Sequence, residues 1–190
     1  MMSEKRFNPE KADMLIGLER KKLLPPDKIV GLLNIEPDDT IADLGAGNGY
    51  FAIPMAKQSK DTLYAVDIEP KMLEMLRENA RKEQVKNITY VESDFDPIQL
   101  EDHSVSKVMI SFVMHEVPDI NKTLSEIRRI LKPGGTMLII EWEAVETGSG
   151  PPVHIRISSD EMVKILEKKG FGAEAISLNP ENYGVKAVIV

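Results

Sequence analysis

Three glycines at alternate positions lie between an apolar run and a helix-compatible run near the start of the chain. The stretch at residues 40–50, Thr-Ile-Ala-Asp-Leu-Gly-Ala-Gly-Asn-Gly-Tyr, carries Gly45, Gly47 and Gly49. A strand that turns this tightly into a helix needs backbone angles with φ > 0 and no Cβ beside a ligand, which favours glycine. Backbone N–H groups at a helix start, together with the helix dipole, attract an anionic group. The pattern predicts a site for a nucleotide-like cofactor.

The spacing of these glycines differs from that of the dinucleotide-binding loop. That loop has the pattern G-x-G-x-x-G. This chain has G-x-G-x-G, with Tyr50 where the third dinucleotide glycine would stand and Asp43 two positions before Gly45. A glycine loop with no ligand is the plain alternative for a motif that stands alone. The residues at the ends of the later strands decide between these interpretations.

Acidic residues follow two later apolar runs. Asp67 ends the run Thr-Leu-Tyr-Ala-Val-Asp about 20 residues after Gly45, the separation at which a carboxylate meets ribose hydroxyls. An ionised carboxylate accepts two hydroxyls at once, and Ile68 offers an apolar face for adenine; a turn-starting aspartate is the alternative. Asp94 follows the next run, where its carboxylate can accept the adenine amine and Phe95 can offer its backbone N–H.

Apolar strands alternate with amphipathic helices along the chain, which predicts a parallel sheet with helices on both faces. The last two strands have no helix between them, so they form a hairpin and the last strand runs antiparallel. The expected fold is α/β, a doubly wound and mostly parallel seven-stranded sheet. Strands are predicted at 41–44, 62–67, 88–91, 105–112, 136–142, 173–178 and 184–190.

The composition excludes several classes of function. A net charge of −7 argues against broad binding to nucleic acid or anionic membranes. The lack of cysteine excludes thiolate catalysis and thiolate metal sites, and His103, His115 and His154 lack the spacing of metal ligands. No apolar run approaches the ~20 residues of a membrane span, and the N-terminus has no apolar signal region. We expect a cytoplasmic protein with no nucleic-acid, membrane or metal partner.

Four separated features together resemble the class I S-adenosylmethionine-dependent methyltransferases. They are Asp43-Leu-Gly-Ala-Gly-Asn-Gly, the acid Asp67, Asp94-Phe95, and Leu131-Lys-Pro-Gly-Gly before a strand. The segment from Ile110 to Trp142 is similar to the small-molecule branch that includes the ubiquinone/menaquinone biosynthesis methyltransferases. The resemblance implies S-adenosylmethionine as cofactor, S-adenosylhomocysteine as product, and methyl transfer to a small-molecule acceptor by in-line displacement.

The resemblance also implies a single domain, with an N-terminal helical cap at 1–37 and a Rossmann-like core at 38–190. The cap contains a predicted helix over 8–24, begun by Asn8 and Pro9 and ended by a proline pair, and a short second helix. Such helices often cover the cofactor and shape the acceptor pocket in the resembled family. Candidate contacts in the cap are Phe7, Arg20 and Lys28.

Further residues are implied to border the methionyl part of the cofactor. Asp43 would neutralise its ammonium, and the helix start near Gly49 would attract its carboxylate. The loop backbone would run along the cofactor, and the end of the fourth strand would lie beside the methionyl part. The residues in these last two places are Gly45, Ala46 and Gly47 in the loop, and Ser111 and Phe112 in the strand.

A weakly acidic acceptor also needs a base. His115 is the main candidate, because an imidazole with an unperturbed pKa near ~6.5 is often neutral and can accept a proton. A packing histidine after a strand is the alternative. Glu116 and Glu141 are weaker candidates, and each also fits a solvated or pairing carboxylate.

The segment between the fifth strand and the next helix, about 143–157, is shorter than in many relatives, which insert helices over the substrate. This implies an open pocket, one completed by a partner, or one covered by the N-terminal helices. His154 and Arg156 lie in the segment, where loop residues without function are the commoner case. Two other functions stay open: a non-catalytic S-adenosylmethionine-binding protein and an NAD-dependent oxidoreductase.

Overall fold

The structure is a computed structural model and describes residues 18–190 of the chain. Seven strands form one sheet, as the sequence predicts. The strands are β1 (Ile41–Leu44), β2 (Leu63–Asp67), β3 (Ile88–Glu92), β4 (Val105–Ser111), β5 (Leu131–Trp142), β6 (Phe171–Asn179) and β7 (Asn182–Ile189). The helices are α1 (Leu18–Leu23), α2 (Pro26–Gly31), α3 (Ala52–Gln58), α4 (Pro70–Lys82), α5 (Ile120–Ile130) and α6 (Ser159–Lys168).

The order of the strands across the sheet is β3-β2-β1-β4-β5-β7-β6. The chain moves outward from β1 to β3 and then returns to β4 beside β1, so the order reverses between β1 and β4. Strand β7 runs antiparallel between β5 and β6, which confirms the predicted hairpin. Open α/β sheets bind ligands at the carboxyl ends of the strands where the order reverses, and that point lies between β1 and β4.

Apolar side chains cover both faces of the sheet, which confirms the predicted layers. On one face, Leu44 belongs to the same buried apolar cluster as Ile127 of α5 and Leu166 of α6. On the other, Ile41 belongs to a second cluster with Met55 of α3 and Leu76 of α4. Alternate residues of one strand therefore enter different clusters, as the pleat of a strand requires. Such a strand is fixed in register, and so are the polar residues at its end.

Side-chain caps fix where three of the helices begin. The Asp119 carboxylate accepts the N–H of Asn121 at the start of α5, and Ser158 Oγ accepts the N–H of Glu161 in α6. Glu69 caps α4 in the same way. These caps give α4, α5 and α6 defined first residues beside the sheet.

Several predicted boundaries differ from the observed ones. Strands β6 and β7 each begin two residues earlier than predicted, and helix α3 begins at Ala52, three residues after the predicted start near Gly49. Strand β5 begins at Leu131, before the predicted 136, and accommodates Gly134 at φ +75° where its pairing with β4 changes register.

The region before the core is described only in part. The predicted helix over 8–24 lies largely outside the described residues, and so do Phe7 and Asn8; the part within them is α1. The division into a cap at 1–37 and a core at 38–190 stays a prediction. Among residues 18–190, no helix has the length and apolar character needed to cross a membrane.

Candidate active site

The backbone N–H groups of the glycine loop point into the protein. Those of Gly45 and Ala46 are both donated to the carbonyl of Val66 in β2, at 2.8 and 3.0 Å. The N–H of Gly47 is donated to the Asp67 carboxylate, and that of Gly49 to the Ala46 carbonyl. The Ile53 N–H is donated to the Gly49 carbonyl at 3.1 Å, just before α3, and the attraction of a carboxylate to the helix start near Gly49 stays a prediction.

Positive φ angles at Gly45, Gly47 and Gly49 confirm the tight turn that the sequence predicts. At Gly45 the space beside the backbone is filled by protein. A Cβ built there would lie 2.5 Å from Val113 Cγ2 and 3.7 Å from the Phe95 ring. Gly45 therefore allows the segment after β4 to pack against the loop, a role that the motif alone does not reveal.

Asp43 is buried at the carboxyl end of β1 and lacks a hydrogen bond on one oxygen. Its Oδ1 is one of the few buried side-chain atoms of the described residues with no partner. Burial, reinforced by the nearby charge of Asp67, raises the pKa of Asp43 to about 8. A buried polar atom without a partner is costly, and a cationic ligand group would satisfy it.

Asp67 lies at the carboxyl end of β2 and holds the loop in place. Its Oδ2 accepts the N–H of Gly47 at 2.8 Å, and its Oδ1 accepts the N–H of Glu69 at 2.9 Å. Burial raises the pKa of Asp67 even though both N–H groups favour the charged form. Since a carboxylate has about four acceptor positions, two remain for hydroxyl donors. Ile68 beside it is 37% exposed, an apolar face open to a ring.

Asp94 and Phe95 lie just after β3 and border a cleft. The Asp94 carboxylate is exposed, and its Oδ1 accepts the N–H of Phe95 at 2.7 Å. The N–H that was expected to face adenine is therefore already donated. Both residues line a cleft of about 160 Å³ whose other wall is the start of α5.

The end of β4 carries a strained aromatic residue. Phe112, directly after Ser111, has a φ of +58°, a conformation that bulky side chains rarely adopt and that clusters at functional sites. Its N–H is donated to the Ile140 carbonyl of β5. Its ring lies 5.6 Å from the ring of Trp142, at the end of β5. Two rings thus stand at the carboxyl ends of adjacent strands.

His115, three residues after Phe112, lies between two carboxylates. Its Nδ1 lies 2.9 Å from both oxygens of Glu141, and its Nε2 lies 3.7 Å from Glu116 Oε1. An ionised carboxylate only accepts hydrogen bonds, so Nδ1 carries a proton and Nε2 is the nitrogen that gains or loses one. The histidine side chain is 6% exposed and that of Glu141 3%. Burial lowers the pKa of His115, but the hydrogen bond and charge of Glu141, with the charge of Glu116, outweigh it and raise the pKa.

Arg156 organises the short segment after β5. Its guanidinium donates to the carbonyls of Glu143, Val145, Ser149 and Pro151, and to the Thr147 hydroxyl. It also lies over the Trp142 ring, with Cζ 5.2 Å from the centroid. These bonds use the whole fork, so Arg156 shapes the segment and is not available to an acceptor. His154 is exposed in a short 3₁₀ turn.

The structure brings Arg20 to this edge of the sheet, whereas Lys28 is exposed on α2. Sequence analysis indicates Arg20 only as one of several candidate contacts. It does not indicate that the Tyr50 ring lies beside Arg20 or that the Trp142 ring lies beside Arg156. The signal for Tyr50 was its position, since it replaces a glycine of the dinucleotide pattern. Within residues 18–190, no group of three or more His, Asp or Glu side chains is arranged to hold a metal ion.

The chain is similar to known methyltransferases. A family profile described as "Methyltransferase domain" matches residues 42–139, just over half of the chain. The ubiquinone/menaquinone biosynthesis C-methyltransferase UbiE of Rickettsia prowazekii is 32% identical over 145 residues, 71% of this chain and 55% of that protein. The protein of the same name from Brucella abortus is 35% identical over 113 residues, 58% of this chain and 42% of that protein. A crystal structure of a SAM-dependent methyltransferase from Aquifex aeolicus matches with a TM-score of 0.89 and 28% identity, covering 97% of this chain and 100% of that one.

The family profile covers the predicted cofactor-binding residues but only some of the other residues at this edge of the sheet. The chain spans about half the length of the two UbiE relatives. The profile contains every residue predicted to border the cofactor, and His115, but it ends before Glu141 and begins after Arg20. The partners of His115 and Phe112, which are Glu141, Trp142 and Arg20, thus lie outside the residues that the profile matches.

Proposed function

Because the chain belongs to the class I S-adenosylmethionine-dependent methyltransferases, we propose that it methylates a small, weakly acidic acceptor with His115 as the general base. The observation that carries this proposal is the buried pair of His115 and Glu141, 2.9 Å apart. The pair follows β4 and ends β5, at the same edge of the sheet as the unpaired oxygen of Asp43.

Residues of the first strands hold the cofactor in this proposal. When bound, the cofactor supplies a sulfonium methyl group that is already activated for displacement, so positioning and desolvation are the main tasks of the chain. Asp43 binds the ammonium of the methionyl part, because its buried oxygen needs a donor. Asp67 accepts the ribose hydroxyls, Ile68 packs on adenine and Asp94 accepts the adenine amine. The backbone of the loop from Gly45 to Gly47 lies along the cofactor, but the N–H groups of the loop do not bind it because they are donated to protein acceptors.

His115 and Glu141 act on the acceptor. His115 Nε2 would take the proton of the acceptor, and Glu141 would stabilise the imidazolium that forms. The raised pKa of His115 makes it a stronger base that is neutral over a smaller pH range. Transfer is therefore expected to quicken as the pH rises through that pKa.

The class of acceptor follows from the need for a base and from the two rings at the strand ends. A phenol or enol becomes nucleophilic at oxygen or at a ring carbon once it is deprotonated. The relatives from Rickettsia prowazekii and Brucella abortus are named as C-methyltransferases of quinone biosynthesis, which supports such an acceptor. Phe112 and Trp142 are the side chains against which its ring would pack.

The cap at 1–37 is proposed to cover this site over the core at 38–190. Its described end is tied to the core, since the Tyr50 hydroxyl donates to the Leu24 carbonyl at 2.9 Å. Cytoplasmic location stays a prediction.

The test is transfer from methyl-tritiated S-adenosylmethionine to a panel of phenols and hydroxyquinones at pH 8. The methyl ethers of the same compounds serve as controls, because they have no acidic proton. Label on the phenols and none on the ethers would support the proposal. Binding of S-adenosylhomocysteine without transfer to any acceptor would favour the non-catalytic alternative.

A further inference from the structure

The guanidinium of Arg20 lies among aromatic rings at the point where the strand order reverses. Its Cζ is 4.5 Å from the ring centroid of Tyr50, 5.3 Å from that of Phe112 and 6.0 Å from that of Phe51. Tyr50 leaves the glycine loop after β1, and Phe112 follows β4. The cation is thus placed over the same strand ends as the proposed transfer site.

The helix that carries Arg20 is held at its carboxyl end. The Tyr50 hydroxyl donates to the Leu24 carbonyl, and Asn179 Nδ2 donates to the Leu23 carbonyl at 3.1 Å. These two bonds come from opposite parts of the sheet, the glycine loop and the end of β6. They fix the end of α1, so the side chain of Arg20 is oriented by the fold.

Arg20 differs from the other partly buried arginines in having no oxygen partner among residues 18–190. Arg156 donates to five oxygens, and Arg128 donates to the carbonyls of Lys169 and Gly170. Within the described part of the chain, the Arg20 guanidinium contacts the rings of Tyr50, Phe51 and Phe112. Burial lowers the pKa of Arg20 to about 10, so it stays charged at neutral pH. A guanidinium stacked on rings keeps its in-plane N–H donors, which match a carboxylate in pairs.

An anion at this site requires donors other than the N–H groups of the loop glycines, and the Arg20 guanidinium can supply them. The N–H groups of Gly45, Ala46, Gly47 and Gly49 are donated to protein acceptors, so they do not form the anion cradle that the motif predicts. Resting on the proposed function, we infer that Arg20 binds a carboxylate at the transfer site, carried either by the amino-acid part of the cofactor or by the acceptor. The N-terminal cap would then contribute a binding residue as well as a cover.

The test is calorimetric titration of the full chain and of Arg20→Met with S-adenosylhomocysteine and with its decarboxylated analogue, which keeps the ammonium. If the cofactor supplies the carboxylate, the variant binds S-adenosylhomocysteine at least tenfold more weakly and the analogue as the wild type does. If the acceptor supplies it, both affinities are unchanged. Benzoate, but not benzamide, then raises the melting temperature of the loaded wild type and not of the variant.

Two further variants separate anion binding from packing. Arg20→Lys keeps the charge, so it retains more of the affected binding than Arg20→Met. Arg77→Met is the matched control, because Arg77 also lies over a tyrosine ring, that of Tyr90 at 4.6 Å, away from this edge. Equal binding of S-adenosylhomocysteine and benzoate by wild type and Arg20→Met would overturn the inference. A wild type that does not bind S-adenosylhomocysteine would instead contradict the proposed function.

Discussion

The two sides of the strand reversal hold their polar residues in different ways. On the side proposed for the cofactor, at the ends of β2 and β3, carboxylates accept nearby backbone N–H groups: Asp67 those of Gly47 and Glu69, and Asp94 that of Phe95. On the side proposed for the acceptor, at the ends of β4 and β5, the closest polar contact is a side-chain pair, His115 with Glu141, and Glu141 also accepts the backbone N–H groups of His115 and Trp142. Backbone bonds fix a site through the fold, whereas side-chain pairs fix it only while both partners are present.

This difference predicts that substitutions on the two sides change different properties of the protein. Changes on the cofactor side should alter binding together with stability, because the same groups hold the loop. Changes on the acceptor side should alter the rate with little effect on cofactor binding. Four substitutions test this separation.

The largest effect is expected for His115→Ala, on the acceptor side. Loss of a general base typically lowers the rate by 10²–10⁴-fold, and we expect a fall of that order in kcat on a phenolic acceptor. Affinity for S-adenosylhomocysteine should stay within about twofold, since the proposed cofactor contacts lie on the other side. His103→Asn is the control, because His103 precedes β4 at the amino ends of the strands and tolerates asparagine at its φ of +51°. Equal rates for the two variants would remove His115 from the reaction.

Asp67→Ala should affect binding and stability together. The loss of charge-assisted hydrogen bonds, at about 1.5–3 kcal/mol, predicts S-adenosylhomocysteine affinity weaker by about 10–100-fold. Stability to urea should also fall, because the N–H groups of Gly47 and Glu69 lose their acceptor. Calorimetry and urea unfolding measure the two effects. Weaker binding at unchanged stability would show that the carboxylate does not hold the loop.

Asp43→Asn should weaken binding but strengthen the fold. The pKa of Asp43 is about 8 in the folded chain and about 3.9 in an unfolded one. Between these values the folded state binds more protons than the unfolded state, so the free energy of unfolding falls as the pH rises. Asparagine removes this dependence, and the variant should be more stable than wild type by about 1–3 kcal/mol at pH 8.

The binding half of that prediction has its own measurement. We expect Asp43→Asn to bind S-adenosylhomocysteine about tenfold more weakly, the loss of one charged hydrogen bond. Urea unfolding at pH 5 and pH 8 reports the stability. A variant that is less stable than wild type at pH 8 would show that the buried carboxylate is satisfied within the protein.

The smallest effect is expected for Glu141→Gln, which keeps a hydrogen-bond acceptor for His115 but removes the charge. Without that charge, burial lowers the pKa of His115 and the acidic limb of the pH–rate profile should move to lower pH. The maximal rate should fall several-fold, because a less basic imidazole is a weaker base. An unmoved limb would mean that a group other than His115 titrates in the rate.

The sequence predicts the cofactor side well because its motifs are local. The glycine turn, the strand ends with Asp43 and Asp67, and the sheet with its antiparallel last strand all follow from short-range patterns. The inward direction of the loop N–H groups could not be predicted, because it depends on where Val66 of the neighbouring strand lies.

The sequence indicates His115 and Glu141 as separate candidates on the acceptor side, but their pairing could not be predicted because the two residues are far apart in sequence. Glu141 is 26 residues from His115, and no pattern between them indicates that they meet. Arg156 resembles a loop residue in the sequence, yet it fixes the whole segment through backbone carbonyls. The contacts of Arg20 require the register of α1 over the sheet, which its polar sequence does not specify.

The most direct test of the account is calorimetric titration of the wild-type chain with S-adenosylhomocysteine at pH 6 and pH 8, with NADH as control. We expect stoichiometric binding of S-adenosylhomocysteine and no binding of NADH. Binding of S-adenosylhomocysteine should be tighter at pH 8, because Asp43, with a pKa of about 8, must lose its proton to bind the ammonium. Binding of NADH, or of neither compound, would contradict the account.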